Sequence, residues 1–207
     1  MGIGLKRLVA KKYTTLLIDE YNTSKKCCNC WQDVENACLD ITLQMYKDKW
    51  CPDYIVGITR GGNVPATILS NMLGVRGEAL KVSLRDGSEQ ESNTWMADDA
   101  FGIVDEEQRD LFKSRWDVGR RKNILIVDDI NDTGATFDWI KQDWQLSCLP
   151  DEGSWQTVWH NNVRFATLTD NLASEFTEHC AYTCHEINKS EEDVWLVYPW
   201  ECVGQYL

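Results

Sequence analysis

Three aspartates and a short loop that carries two hydroxyls follow the most apolar run of this chain of 207 residues. Residues 124–127 are Ile-Leu-Ile-Val, and Asp128 and Asp129 come directly after them. Asp132 then leads into the phosphate loop, residues 133–136, which consists of Thr133, Gly134, Ala135 and Thr136. Backbone N–H groups, hydroxyls and the positive end of a helix dipole suit a phosphate, whereas carboxylates suit sugar hydroxyls or a divalent cation. The segment therefore predicts a phosphate site beside a diol site, the outline of a ribose 5-phosphate.

A second candidate loop follows the apolar run at 54–58. This glycine loop, residues 59–62, consists of Thr59, Arg60, Gly61 and Gly62. Taken alone, these residues are more typical of a tight turn, so the loop is a candidate site only in combination with the phosphate loop.

The elements that must position both loops alternate between helix and strand patterns. Apolar residues at helical spacing predict a helix from Trp31, one from Asn63 to Gly74 and one after the phosphate loop. Short apolar runs predict strands at 54–58, 79–84, 123–127, 163–168 and 194–198. This alternation predicts an α/β fold, a Rossmann-like, mostly parallel sheet flanked by helices. Both loops would lie at the carboxyl ends of strands, where such sheets bind ligands.

A polar, acidic stretch at 85–119 separates two of the predicted strands. It is long for a loop in a compact domain, and loops of this length are commonly functional lids or disordered segments. We expect this stretch to close over the site and exclude water.

The charge of the chain is divided unequally along its length. The 21 Lys and Arg residues and 33 Asp and Glu residues give a net charge of −12, which disfavours nucleic acid as a partner. Residues 1–30 nevertheless carry six cations and two acids, so they form a basic leader of net charge +4. The division predicts a leader at 1–30 and one domain at 31–207. No apolar run approaches the ~18 residues of a membrane span, which predicts a soluble chain with no membrane partner.

Nine cysteines are many for this length, and no secretory signal accompanies them. Reduced thiols in a cytoplasmic protein are therefore the better interpretation than a disulfide framework. Cys27 and Cys30 form one Cys-x-x-Cys pair, but a structural zinc ion takes four ligands. The nearest second half, Cys180, Cys184 and His185, is about 150 residues away. The pair is thus either half of a zinc site or two free thiols.

Three segments together resemble the type I phosphoribosyltransferase family. Residues 124–136 are similar to its phosphoribosyl-pyrophosphate motif, with four apolar residues, two acids and Asp-Thr-Gly-x-Thr. The glycine loop resembles the pyrophosphate-binding loop of the family. Residues 194–201 resemble the C-terminal base-binding segment of xanthine–guanine phosphoribosyltransferases, and the overall character of the chain, including the stretch at 91–97, is most like phage-encoded members. The resemblance spans about residues 31–201.

This resemblance implies a type I phosphoribosyltransferase fold with a small hood from the terminal segments. It also implies transfer of ribose 5-phosphate from phosphoribosyl pyrophosphate to a purine-like base in nucleotide salvage, with Mg²⁺ as cofactor and a possible homodimer. Arg60 would stabilise the leaving pyrophosphate, and Asp132 would accept a proton from the base. Asp128 and Asp129 would hold the ribose hydroxyls, with Asp129 also at the metal, and the phosphate loop would anchor the 5-phosphate.

The base site is the part in which the sequence departs from the family. The resemblance implies that Trp195 stacks on the base and that Leu196 offers backbone groups to its edge, although a tryptophan considered without the resemblance more often packs in a core or a strand. Purine-specific relatives place a lysine shortly after the strand that ends at Leu168, and this chain has Asn171 there instead. An asparagine amide donates a hydrogen bond but supplies no positive charge, so the accepted base stays open.

Two other functions remain open beside the enzyme. The same fold could bind phosphoribosyl pyrophosphate or a nucleotide as a regulator without turnover. The basic leader with its Cys-x-x-Cys pair could instead contact DNA. The enzyme is favoured by the presence of Arg60, Asp132 and the acid pair, which consists of Asp128 and Asp129. A sensor need not keep groups that act on a leaving group.

Overall fold

The computed structural model of the chain describes residues 31–84, 89–90, 94–103, 120–148, 155–192, 194 and 196–201. Within these residues the main element is a five-stranded sheet in which all neighbouring strands are parallel. Its strands are β1 (Tyr54–Ile58), β2 (Arg76–Leu80), β5 (Ile124–Asn131), β6 (Val163–Asn171) and β7 (Tyr182–Ile187). A separate antiparallel pair consists of β3 (Val82–Ser83) and β4 (Glu89–Gln90). The helices are α1 (Trp31–Lys47), α2 (Asn63–Leu73), α3 (Thr94–Phe101) and α4 (Ala135–Ser147), and Pro199–Glu201 forms a short 3-10 helix.

The sheet has the strand order β2-β1-β5-β6-β7, which confirms the predicted α/β class. The chain first adds β2 on one side of β1 and then moves to the other side of β1 for β5, β6 and β7. The order therefore reverses between β1 and β5. In open parallel sheets the crevice at the carboxyl ends of two such strands is the usual ligand site. The glycine loop follows β1 and the phosphate loop follows β5, so both predicted loops meet at this crevice.

Both faces of the sheet are covered, which explains why the central strands are apolar throughout. Along β5, Ile124 and Ile126 face one core cluster, and Leu125 and Val127 face the other. This alternation follows from the two-residue period of a strand. The first cluster contains the apolar side of α4, with Phe137, Ile140 and Trp144. The second contains the predicted apolar stripe of α1, namely Val34, Cys38, Ile41 and Met45. All four of these α1 residues are buried, as their spacing predicts.

Two of the predicted strands have different boundaries in the structure. The second strand spans 76–80 and not 79–84, because β2 pairs with β1 from Tyr54 opposite Arg76 to Ile58 opposite Leu80. Its first residues are polar because β2 is an edge strand whose side chains are largely exposed. In addition, β5 continues to Asn131, since its pairing with β6 extends to Asp170. Asp128 and Asp129 thus lie within the strand and not beyond it.

The predicted last strand at 194–198 is wrong. Its described residues form no strand, and the fifth position in the sheet belongs to β7 at 182–187. Leu196, Tyr198 and Trp200 instead pack against the cluster on the α1 side of the sheet. Apolar residues on a covering segment give the same sequence pattern as a buried strand. Of the terminal segments predicted to form a hood, residues 1–30 lie outside the described residues.

Part of the predicted lid belongs to the folded body. Residues 94–101 form α3, which packs against α4, and Met96, Ala97 and Ala100 are buried in the cluster on that face. This short helix is therefore not a free loop, because its apolar side is committed to the core. The remainder of 85–119 lies largely outside the described residues. In the described part of the chain, no helix has the length and apolar character that crossing a membrane requires.

Candidate functional site

The glycine loop lies directly against β5. A Cβ atom on Gly61 would overlap the carboxylate of Asp129, and one on Gly62 would overlap the backbone carbonyl oxygen of Val127. The backbone N–H of Gly62 also donates a hydrogen bond to the carboxylate of Asp128. Only residues without a side chain allow the backbone to approach this closely. Glycine is therefore required at both positions by the close contact with β5 and the acid pair. A tight turn without such a contact would not require glycine at both.

The start of the glycine loop is anchored on the other side by β2. The backbone N–H of Thr59 donates to the carbonyl oxygen of Leu80 over 2.9 Å, and the peptide bond between Thr59 and Arg60 is cis. The Arg60 side chain is exposed. The loop that carries Arg60 therefore lies at the same edge of the sheet as the acid pair.

The two adjacent acids are held by backbone N–H groups. The N–H of Asp129 donates to Asp128 Oδ1, and the N–H of Ile130 donates to Asp129 Oδ1, each over 2.9 Å. Desolvation, followed by the charge of Asp129, raises the pKa of Asp128 well above its ordinary value. Desolvation, with repulsion from the Glu201 carboxyl, also raises the pKa of Asp129. A divalent cation would relieve this repulsion and favour the ionised forms, so the pair fits a cation site.

The phosphate loop has the geometry of an anion site at a helix N-terminus. Gly134 precedes α4 with a φ of 86°, and a Cβ atom there would overlap the backbone N–H of Phe176. A non-glycine residue would therefore be both strained and blocked. Thr133 and Ala135 are exposed, and Thr136 is half-buried. The first N–H groups of a helix have no partner within it, so this exposed end can bind a phosphate.

Asp132, at the entrance to the phosphate loop, is paired with a lysine. Its Oδ1 atom is 2.9 Å from Nζ of Lys189. Its backbone carbonyl oxygen accepts a hydrogen bond of 2.8 Å from Nδ2 of Asn171. The sequence did not identify Lys189, because β7, which places it at this edge of the sheet, was not recognised as a strand.

The base-binding residues predicted from the sequence are only partly described. Trp195 lies outside the described residues, and Leu196 packs half-buried against the α1-side cluster. Tyr198, which the sequence did not single out, is buried, and its hydroxyl donates to the carbonyl oxygen of Asp129 over 2.9 Å. The same hydroxyl lies 3.0 Å from Oγ1 of Thr169, and the ring stacks on Trp200 with centroids 4.9 Å apart. The C-terminal segment is thus hydrogen-bonded to the backbone of Asp129 from the α1 side of the sheet.

The cysteines that could have completed a zinc site are engaged elsewhere. Cys180 and Cys184 are free thiols whose Sγ atoms lie 3.7 Å from Asp170 and 3.6 Å from Asp40. Burial, followed by the charge of Asp170, raises the pKa of Cys180. No cluster of three or more potential His, Cys, Asp or Glu ligands occurs within the described segments. Cys27 and Cys30 lie outside these segments, so their state is still a prediction.

Comparisons with known proteins agree with this geometry. A family model described as "Phosphoribosyl transferase domain" matches residues 29–200. A hypoxanthine-guanine phosphoribosyltransferase of Schizosaccharomyces pombe is 27% identical over 198 residues, covering 83% of this chain and 86% of the relative. A xanthine-guanine phosphoribosyltransferase of Cereibacter sphaeroides is 26% identical over 153 residues, covering 74% and 71%. The crystal structure of a purine phosphoribosyltransferase from Pyrococcus horikoshii has the same fold, with a TM-score of 0.53 at 20% identity over 86% of this chain and 94% of that one.

Proposed function

The chain belongs to the phosphoribosyltransferase family, and we propose that it transfers ribose 5-phosphate from phosphoribosyl pyrophosphate to a 6-oxopurine base. It is a pentosyltransferase enzyme, and pyrophosphate is the leaving group. The observation that carries the proposal is the contact of the glycine loop with Asp128 and Asp129 beside the phosphate loop. The two relatives act, by their names, on hypoxanthine, guanine or xanthine, which all carry an oxygen at C6.

The glycine loop acts on the leaving group. Breaking the bond from ribose C1 to pyrophosphate leaves positive charge on the sugar ring and places negative charge on the departing oxygen. Arg60, whose side chain is exposed, and the backbone N–H of Gly61 can stabilise this charge as it develops. Groups that are already oriented stabilise a transition state more than groups that must first reorganise.

The acid pair serves the ribose and a metal. The carboxylates of Asp128 and Asp129 can accept hydrogen bonds from the two ribose hydroxyls. Burial raises the pKa of both groups, and a Mg²⁺ ion at their oxygen atoms would favour the ionised forms. Bound Mg²⁺ would neutralise charge on the diphosphate and polarise the bond to the leaving group. Because the body is acidic, an anionic substrate needs such local positive charge.

The phosphate loop supplies orientation at a distance from the reacting carbon. The hydroxyls of Thr133 and Thr136 and the N–H groups at the start of α4 can hold the 5-phosphate. Fixing a remote group in this way lowers the entropic cost of bringing the base and ribose C1 together. Asp132, at the entrance to this loop, would accept the proton that the base loses when its nitrogen bonds to ribose.

Two further properties complete the proposal. A homodimer is implied by the family resemblance and is testable by light scattering of the full chain. A cytoplasmic location is supported by the free thiols of the described cysteines, such as the buried Cys38 and Cys148, because reduced thiols are typical of that compartment.

The test is an assay of pyrophosphate release from phosphoribosyl pyrophosphate with Mg²⁺ and a panel of bases. Hypoxanthine, guanine and xanthine should each be compared with adenine, uracil and no base. We expect release with at least one 6-oxopurine, and loss of release in Arg60→Ala and on chelation of the metal. Tight binding of phosphoribosyl pyrophosphate without release on any base would overturn the proposal and favour a regulator on the same fold.

A further inference from the structure

The chain that follows β6 is in direct contact with the phosphate loop. This β6 loop consists of residues 172–178. The backbone N–H of Glu175 donates to the carbonyl oxygen of Thr133 over 3.1 Å. The backbone of Phe176 fills the space beside Gly134 that a side chain on that glycine would need. The phosphate loop therefore rests against the β6 loop on one side.

These contacts fix the directions in which the phosphate loop presents its first N–H groups. The carbonyl oxygen of Asp132 accepts a hydrogen bond of 2.8 Å from Nδ2 of Asn171 at the end of β6. The carbonyl oxygen of Thr133 accepts from Glu175, and the peptide bonds after both carbonyls are trans. In a trans peptide bond the C=O and the following N–H lie in one plane and point in opposite directions. The N–H groups of Thr133 and Gly134 therefore point away from the residues that hold the two carbonyls.

Ser174 holds the β6 loop in the shape that makes these contacts. Its Oγ atom accepts from the backbone N–H of Phe176 over 3.2 Å and donates to Oδ1 of Asn131 over 3.1 Å. Its backbone N–H donates to the carbonyl oxygen of Asn171 over 2.8 Å. One serine thus fixes the backbone on both sides of Glu175, the residue that binds the phosphate loop.

Asn131 anchors this serine to the end of β5. The side chain is 5% exposed and uses both ends of its amide, because Nδ2 donates to Oδ1 of Asp170 over 2.8 Å while Oδ1 accepts from Ser174. A buried polar group is costly unless it is hydrogen-bonded, so the position of this amide is tied to its two partners. An apolar residue at 131 would remove the partner of both.

We propose that Ser174 and Asn131 are positioning residues for the 5-phosphate. They act through the backbone of the β6 loop, which orients the N–H groups of the phosphate loop, and not by contact with the substrate. Donors that are oriented before the ligand arrives bind it with less loss of freedom. This inference rests on the proposed function, because it takes the phosphate loop as the site of the 5-phosphate.

The test separates the two halves of phosphoribosyl pyrophosphate. Calorimetry measures Kd for ribose 5-phosphate and, separately, for pyrophosphate with Mg²⁺. We expect Ser174→Ala to weaken the binding of ribose 5-phosphate about 3- to 10-fold, the loss typical of one neutral hydrogen bond. Pyrophosphate binds at the glycine loop, so its Kd should not change. Ser174→Thr keeps the hydroxyl and should restore most of the affinity.

Ser70→Ala is the matched control. Its hydroxyl also donates to a backbone carbonyl oxygen, that of Val75, but at the end of α2 that lies farther from the glycine loop. Both Kd values should stay as in the wild type. In addition, Asn131→Leu should weaken ribose 5-phosphate at least as much as Ser174→Ala does. Because the two residues act through one shared hydrogen bond, combining the substitutions should add little to the larger single loss.

Equal losses for ribose 5-phosphate and pyrophosphate in Ser174→Ala would overturn the inference, because they would indicate a general distortion of the site. An unchanged Kd for ribose 5-phosphate in that variant would overturn it as well, whether or not Asn131→Leu folds. If the wild type turns over no base, the proposed reaction fails, yet a selective loss of ribose 5-phosphate binding in Ser174→Ala would still support the positioning role. A wild type that binds pyrophosphate but not ribose 5-phosphate would refute that role.

Discussion

The hydroxyl of Tyr198 donates a hydrogen bond of 2.9 Å to the backbone carbonyl oxygen of Asp129. A residue of the C-terminal segment is thus attached to the strand that carries the acid pair, and it reaches that strand from the α1 side of the sheet. Thr169 on β6 lies 3.0 Å from the same hydroxyl, so three separate segments meet at one buried oxygen atom. The C-terminal segment therefore supports the active site from behind, whatever its role toward the base.

Tyr198→Phe should destabilise the protein by removing this hydroxyl. The carbonyl oxygen of Asp129 and the hydroxyl of Thr169 would lose a buried partner, at a cost of about 1–3 kcal/mol. Thermal unfolding should show a melting temperature lower by several degrees, while Tyr46→Phe, at a half-exposed ring on α1, should leave it unchanged. An unaltered melting temperature for Tyr198→Phe would mean that this attachment contributes nothing to stability.

Gly61→Ala should reduce activity by displacing a carboxylate. The added methyl group would overlap Asp129, which must move or push the glycine loop away. We expect kcat/KM to fall about 100-fold or more, the effect expected of a misplaced catalytic group. Gly77→Ala on the exposed edge strand is the control, because its methyl group would meet only the Ser70 side chain, whose Oγ and Cβ atoms lie 3.3 Å and 3.5 Å away. Equal activity of the two variants would show that the close contact of Gly61 with Asp129 is not needed.

The sequence predicted those parts of the fold that depend on local apolar patterns. The stripe of α1 and the buried run in β5 appear where their spacing places them, whereas the helix predicted after the phosphate loop begins within that loop, at Ala135. These features are local because a buried face must repeat with the period of its own helix or strand. The same logic brought both loops to one edge of the sheet, since both follow parallel strands.

The sequence did not predict features that depend on distant partners. In β7 only Tyr182 and Ile187, at the two ends, are buried, so the strand shows no apolar run. Lys189 was missed as a consequence, because its position at the carboxyl edge follows from that strand. Tyr198 was missed for another reason, since its partner is a backbone carbonyl oxygen, which no residue type reveals. Conversely, the apolar residues at 194–198 resembled a strand because a segment that covers a sheet must also be apolar.

Removing residues 1–30 is predicted to leave the catalytic domain active. The family model begins at residue 29, and the site is built from elements after α1 begins at Trp31. The truncated chain should release pyrophosphate at a rate within about two-fold of the full chain, since no group at the site is altered. A truncated chain that fails to fold by circular dichroism would show that the leader belongs to the domain.

Asp132→Asn should lower turnover and spare the binding of phosphoribosyl pyrophosphate. The amide keeps an oxygen that can accept from Lys189, but it is a far weaker proton acceptor than a carboxylate. Loss of a general base typically costs about 10²- to 10⁴-fold in rate. Steady-state kinetics should therefore show a lower kcat with little change in KM for phosphoribosyl pyrophosphate. Asp138→Asn on α4, where Asp138 accepts a hydrogen bond from Thr177, is the control. An unchanged kcat for Asp132→Asn would remove Asp132 from the mechanism.

The acid pair should make the metal-free protein less stable as pH rises. The pKa values of Asp128 and Asp129 in the folded chain lie above the ordinary value of 3.8, so the folded state retains protons that the unfolded state has released. The free energy of unfolding must then fall with increasing pH from about 3.8 up to the raised pKa values. Melting temperatures measured without divalent cations across this interval should decrease accordingly.

Asp128→Asn should remove the part of this pH dependence that Asp128 contributes and stabilise the metal-free protein at neutral pH, while abolishing activity. It deletes the charge that repels Asp129, and its amide oxygen can still accept from the Gly62 N–H. In a protein of this length, the melting temperature should rise about 2–4 °C for each kcal/mol of repulsion relieved. Glu35→Gln, at an exposed carboxyl on α1, should leave the pH profile as it is in the wild type.

Mg²⁺ with pyrophosphate should stabilise the wild type and not Asp128→Asn, because only the wild type presents two carboxylates to the cation. If Asp128→Asn instead melts at a lower temperature than the wild type at neutral pH, the two acids do not repel each other and the cation site has another basis.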